Sequence, residues 1–70
     1  MEVYVFKTSV DRMEYEKIAL VLNQQKSIFK WNIDFEDCDN ILRIESSQNV
    51  SIFVCQLLQN IEYDCVELME

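Results

Sequence analysis

Three thiols, thirteen carboxylates and no imidazole bound the chemistry open to this 70-residue chain. Copper(I) or zinc(II) needs two or more thiolate or imidazole ligands about 2.0 to 2.3 Å from one ion. Cys38, Cys55 and Cys65 show no Cys-x-x-Cys spacing, and an odd number of cysteines fits reduced thiols better than a disulfide framework. The lack of histidine removes the commonest general base and metal ligand together. Thr8 and Ser9 therefore have no base to activate them, Lys7 has no sign of the desolvation that would make it one, and no enzyme activity is expected. Glu36, Asp37 and Asp39 stand in one turn, while Asp11, Glu62 and Asp64 stand in others. They would attract a hard cation only if the fold gathered them, and without an EF-hand pattern a solvated acidic surface is the expectation.

The elements that would position these groups are legible from hydrophobic period. Val3 to Ser9 alternates as a strand, with Tyr4, Phe6 and Thr8 on one face and Val3, Val5 and Lys7 on the other. Asp11 suits a helix N-cap, and Arg12 to about Gln25 follows as a helix with Tyr15, Ile18, Val21 and Leu22 on one face and Met13 and Leu20 on the other. Phe29, Trp31, Ile33 and Phe35 alternate with Lys30, Asn32, Asp34 and Glu36 in a second strand. Asp37 to Asn40 makes a turn into a third strand, Ile41 to Glu45. Cap candidates in Ser46 to Asn49 precede a helical stripe of Val50, Phe53, Val54, Leu57, Leu58 and Ile61. Asn60 or Glu62 must end that helix without glycine, and Tyr63 to Met69 forms a last strand with Val66 and Leu68 on one face.

The order strand, helix, strand, strand, helix, strand predicts an α+β, ferredoxin-like βαββαβ sandwich over residues 1–70. It has one four-stranded antiparallel sheet, order 4-1-3-2, with two helices on one face. That topology brings the first strand-helix junction, the hairpin and the second helix-strand loop to one end. Asp11, Asp37, Cys38, Asp39 and Tyr63 form the candidate loop site there. Cys38 and Cys65 fall on opposite edge strands, three spacings of about 4.8 Å and so roughly 14 Å apart, too far to share an ion. Cys55, on the flank of the second helix, suits a small buried hydrophobe.

Composition narrows the function classes. The net charge of -7 repels phosphate backbones, and the six Lys and Arg residues are scattered, so no nucleic-acid partner is expected. Gly and Pro are both absent, against average usage of about 7% and 5%. Phosphate loops and dinucleotide fingerprints, which need glycine, are thereby excluded, and turns must use Asn, Asp and Ser. No apolar run approaches the roughly 18 residues of a membrane span, and Met1-Glu2-Val3-Tyr4 has no basic region of a signal peptide, so a cytoplasmic protein without membrane contact is expected. The open sheet face is expected to carry Val3 and Val5 beside Ile41, with Cys65 or Met69 from the last strand. This apolar patch, without aromatic rings for base stacking, suits a protein partner or a homodimer.

Phe6-Lys7-Thr8-Ser9-Val10-Asp11-Arg12-Met13-Glu14-Tyr15 resembles the start of the heavy-metal-associated (HMA) domains of copper chaperones and metal-pumping ATPases. In that family the strand ends in Met and, one residue on, a Cys-x-x-Cys opens the helix and holds a soft metal. Val10 stands at the Met, and Arg12 and Tyr15 stand at the two Cys, as degenerate ligand positions. Ile18 and Leu22 fit the family's helix, Ile28-x-x-Trp31-x-Ile33-Asp34 resembles its second strand, and Glu62-Tyr63-Asp64-Cys65-Val66-Glu67 resembles its closing Gly-Tyr-x-Ala-x-Glu. The resemblance implies a non-catalytic HMA-like domain without metal ligands or cofactor, in which Arg12 and Tyr15 pack or hydrogen-bond where the ion would sit. The alternative it implies is a copper or zinc carrier with non-standard ligands. Arg12 in a first helical turn opposes the helix dipole, and an ion pair with Asp11 or Glu16 is the expected offset.

Overall fold

The computed structural model describes residues 2–36 and 39–68. Strand β1 (Glu2–Thr8) leads through a 3-10 turn (Arg12–Glu14) into helix α1 (Tyr15–Asn23). Strands β2 (Ile28–Asp34) and β3 (Ile41–Ser46), helix α2 (Ser51–Asn60) and strand β4 (Cys65–Glu67) follow. The fold is α+β, and every strand pair is antiparallel. Hydrogen bonds order the sheet β2-β3-β1-β4, which counted from the β4 edge is 4-1-3-2. Among the described residues no helix is long and apolar enough to cross a membrane.

Alternation decides which side of the sheet is covered. Tyr4, Phe6 and Thr8 of β1 and Leu42, Ile44 and Ser46 of β3 point inward and are buried. Ile18 and Leu22 of α1 and Val54 and Leu58 of α2 join them in one core. Each such large apolar side chain, fully withdrawn from water, stabilises the fold by about 1.5–3 kcal/mol. Met13 and Leu20 lie outside the core, as their helical phase requires.

Two boundaries differ from the sequence reading. The first helical turn is 3-10, and α1 proper begins at Tyr15 rather than Arg12. The cause is a tight capping box: the Asp11 carboxylate accepts from Met13 N (3.1 Å), and Glu14 Oε1 accepts from Asp11 N (3.1 Å). At the other end Gln25 is not helical, and its side chain donates to Val21 O (3.0 Å), satisfying a terminal carbonyl. In β2 the alternation breaks at a register shift between Ile28 and Lys30. Phe29 is the extra residue there and is exposed, so it does not continue the apolar face of Trp31 and Ile33.

Glycine's usual places are taken by other residues. Asn40 (φ 46°) and Glu62 (φ 71°) adopt left-handed backbone. Asparagine tolerates this at the end of the hairpin. Glu62 ends α2 with Glu62 N donating to Gln59 O (3.0 Å) and Tyr63 N to Leu58 O (2.9 Å), the paired bonds of a Schellman motif. Asn49 supplies the start of α2, its side-chain oxygen accepting from Ser51 N (3.0 Å) and Ser51 Oγ (2.8 Å).

Candidate functional site

The three loops expected at one end do meet there, and they are stitched together. Thr8 Oγ1 donates to Asn40 O (2.8 Å) and accepts from Val10 N (3.2 Å), while Asn40 Nδ2 donates to Val10 O (2.8 Å). Ser9 N donates to Asp64 O (3.1 Å), and Asp64 N donates to Ser9 Oγ (2.8 Å). Both candidate hydroxyls are thus committed to holding loops. Lys7 Nζ lies 3.5 Å from Asp39 Oδ1, a surface ion pair worth about 0–1 kcal/mol.

Asp11 and Tyr63 of the candidate loop site are structural on this geometry. Asp11 caps the first turn, and Tyr63 is buried with its hydroxyl donating to the Glu14 carboxylate. That hydrogen bond first, and burial second, push the Tyr63 phenol up to about 12. Lys17 Nζ sits 5.5 Å from the centre of the Tyr63 ring. Asp37 and Cys38 lie outside the described residues, as does Met69, so the separation between Cys38 and Cys65 does too. Among the described residues no three Cys, Asp or Glu side chains converge into a group able to hold a metal ion.

Arg12 and Tyr15 close over the end of β2. The Arg12 guanidinium lies 5.6 Å from the centre of the Phe35 ring, whereas the ion pair found among the described residues is that of Lys7 with Asp39. The expected pairing of Arg12 with Asp11 or Glu16 does not form, because the Asp11 carboxylate is turned back onto the cap. Tyr15 packs against Trp31 (ring centres 5.4 Å apart, planes at 37°) and meets Phe35 edge-on (6.3 Å, 65°). Trp31 Nε1 donates to Asn23 Oδ1 (2.8 Å), tying the far end of α1 to the same strand. Rings and an aliphatic-stemmed cation therefore occupy the space above these two positions.

The open face of the sheet differs from expectation in register and phase. Val3 pairs with Glu45 and Val5 with Arg43, while Ile41 sits opposite Lys7, so Ile41 is a diagonal rather than direct neighbour of Val5. On β4 the phase is inverted: Cys65 pairs with inward-facing Thr8 and is buried, while Val66 (60% exposed) pairs with outward-facing Lys7. Leu68 N donates to Val5 O (2.8 Å), which places Leu68 beside Val5 on the open side. A shift of one residue in a strand moves its whole apolar set to the other face. Val66 and Leu68 were the residues missed. Their alternation puts them on one face of β4, but alternation alone does not say which side of the sheet that face meets.

The outward faces of β1 and β4 thus carry Val3, Val5, Val66 and Leu68 around Lys7, and those of β2 and β3 carry Lys30, Asn32, Asp34, Arg43 and Glu45 around Ile41. No family model matches the chain, and no curated protein or solved structure matches it.

Proposed function

We propose that this chain is a non-catalytic, ferredoxin-like domain of heavy-metal-associated type that has lost its metal ligands and works by protein contact, pairing with a second copy through the β1–β4 half of its open sheet face. The observation that carries this reading is the phase of β4, which aligns Val66 and Leu68 with Val3 and Val5 on a side that no helix covers. The stitched loop end supports it from the other direction, since Thr8 and Ser9 are spent on backbone and Arg12 and Tyr15 on aromatic packing.

The size of the face sets the strength. Six residues of about 3.3 Å by the two strands of about 4.8 Å give roughly 190 Å² per protomer, or about 400 Å² in all, well below the 1,200–2,000 Å² of stable complexes. The pair is therefore weak, with dissociation in the micromolar to millimolar range. The experiment is sedimentation of wild type beside Val66→Lys. Placing a charge where a valine is buried forfeits about 1.5–3 kcal/mol, a loss of at least tenfold in affinity. An unchanged dissociation constant would remove the face from the account.

A further inference from the structure

Cys55 stands on α2 and Cys65 on β4, two elements that pack on one another, with Cys65 in the core and Cys55 against it. Cys65 lies on the inward side of β4, 3% exposed, and Cys55 is half-buried on α2. Both are free thiols. Burial first, and the neighbouring Cys55 thiol second, push the Cys65 thiol well above its ordinary range. Cys55 also opens onto a surface groove that it shares with Ser51, Gln56, Gln59 and Glu67. One thiol is thus half-exposed and the other nearly fully buried, the asymmetry that separates an attacking thiol from a resolving one.

We propose that Cys55 and Cys65 form a site of reversible oxidation, in which a hydroperoxide converts the two thiols into an intrachain disulfide tying α2 to β4. The Cys55 sulfur attacks the terminal peroxide oxygen, and the O–O bond breaks. The thiol proton leaves with the departing oxygen as water or an alcohol, and Cys55 becomes a sulfenic acid. The Cys65 sulfur then attacks the Cys55 sulfur. The S–O bond breaks, the hydroxide takes the Cys65 proton and leaves as water, and the S–S bond forms. The chain loses two electrons and two hydrogens, and the peroxide takes them up. An external dithiol reverses the change by two exchanges, first at one sulfur and then within the mixed disulfide.

α2 packs on β4, and the ten-residue separation from Cys55 to Cys65 spans the second half of the helix and its Schellman end. No other thiol among the described residues shares that seam.

The test is to treat the reduced full chain with a slight excess of hydrogen peroxide, block remaining thiols with an alkylating reagent, and read intact mass and peptide map. The expected result is loss of two of the three alkylatable thiols, a Cys55–Cys65 cross-linked peptide, and full recovery with dithiothreitol. Cys38→Ser should behave as wild type, and Cys55→Ser, a change at a half-buried helix position whose folding is checked by circular dichroism, should give no intrachain disulfide. Three outcomes would overturn the proposal: a cross-link through Cys38, sulfinic acid on Cys55 with Cys65 still reduced, or three free thiols after excess peroxide.

Discussion

The two halves of the open sheet face are built on opposite rules. On β2 and β3, Lys30 pairs across the strands with Glu45, and Asn32 with Arg43, so that half is solvated and its charges are matched. The β2 edge adds a register shift, a common device against edge-to-edge pairing. On β1 and β4, Val3 (55% exposed), Val66 and Leu68 stand together with Lys7 as the charge among them. Charge covers one half, and the other half is apolar and open. The inward side of the same β1 strand, with Phe6 fully buried, shows what a covered face looks like in this molecule.

That contrast can be broken at several points. The largest effect is expected from Phe6→Ala, which should cost about 3–5 kcal/mol in urea unfolding, whereas Val5→Ala on the outward side of the strand should cost less than about 1 kcal/mol. Comparable losses at the two positions would mean that the open face is not open. The next effect is on association: Val66→Lys should weaken it about 10- to 100-fold, while Lys30→Gln, in the charged half, should leave it within about threefold. Equal losses from the two variants would erase the distinction between the halves.

A smaller effect lies at high pH. Tyr4, donating to Glu2 Oε2 (2.6 Å), and Tyr63, donating to Glu14, both have phenols raised to about 12 from 10.0, chiefly by those hydrogen bonds. Unfolded tyrosine ionises first, so the stability these bonds contribute is complete below pH 10 and declines from there toward pH 12. Thermal melts across that window should flatten in the Tyr4→Phe, Tyr63→Phe double variant, and an unchanged slope would deny the phenols that role. The smallest change is a gain: Glu62→Gly relieves a left-handed backbone at the end of α2 and should stabilise the fold by about 0.5–1 kcal/mol.

How far these features could be read in advance follows from how local their causes are. Asp11 as a cap and Met13 and Leu20 outside the core follow from period and turn chemistry within a few residues, and the strand order follows from the order of elements and the hand of their crossovers. Phe29 and β4 did not follow, because a bulge and an edge-strand phase are decided by the partner strand. Nothing near Tyr63-Asp64-Cys65 in the sequence says that Cys65 will sit opposite Thr8. That same non-local pairing turned Cys65 inward, toward the helices, and turned Val66 and Leu68 outward. The ring partners of Arg12 and Tyr15, Phe35 and Trp31, come from β2 and the residue after it some twenty residues on, beyond the reach of any local pattern. Arg12 makes no ion pair with Asp11 because that carboxylate already caps the turn.

The most direct test of the contact face is sedimentation of the wild-type chain over a concentration series from about 10 μM to 1 mM, at low and high salt. The account predicts a reversible monomer-dimer equilibrium that tightens as salt screens the -7 charge on each copy, with loss at Val66→Lys. A monomer across the whole range at both salts would contradict it.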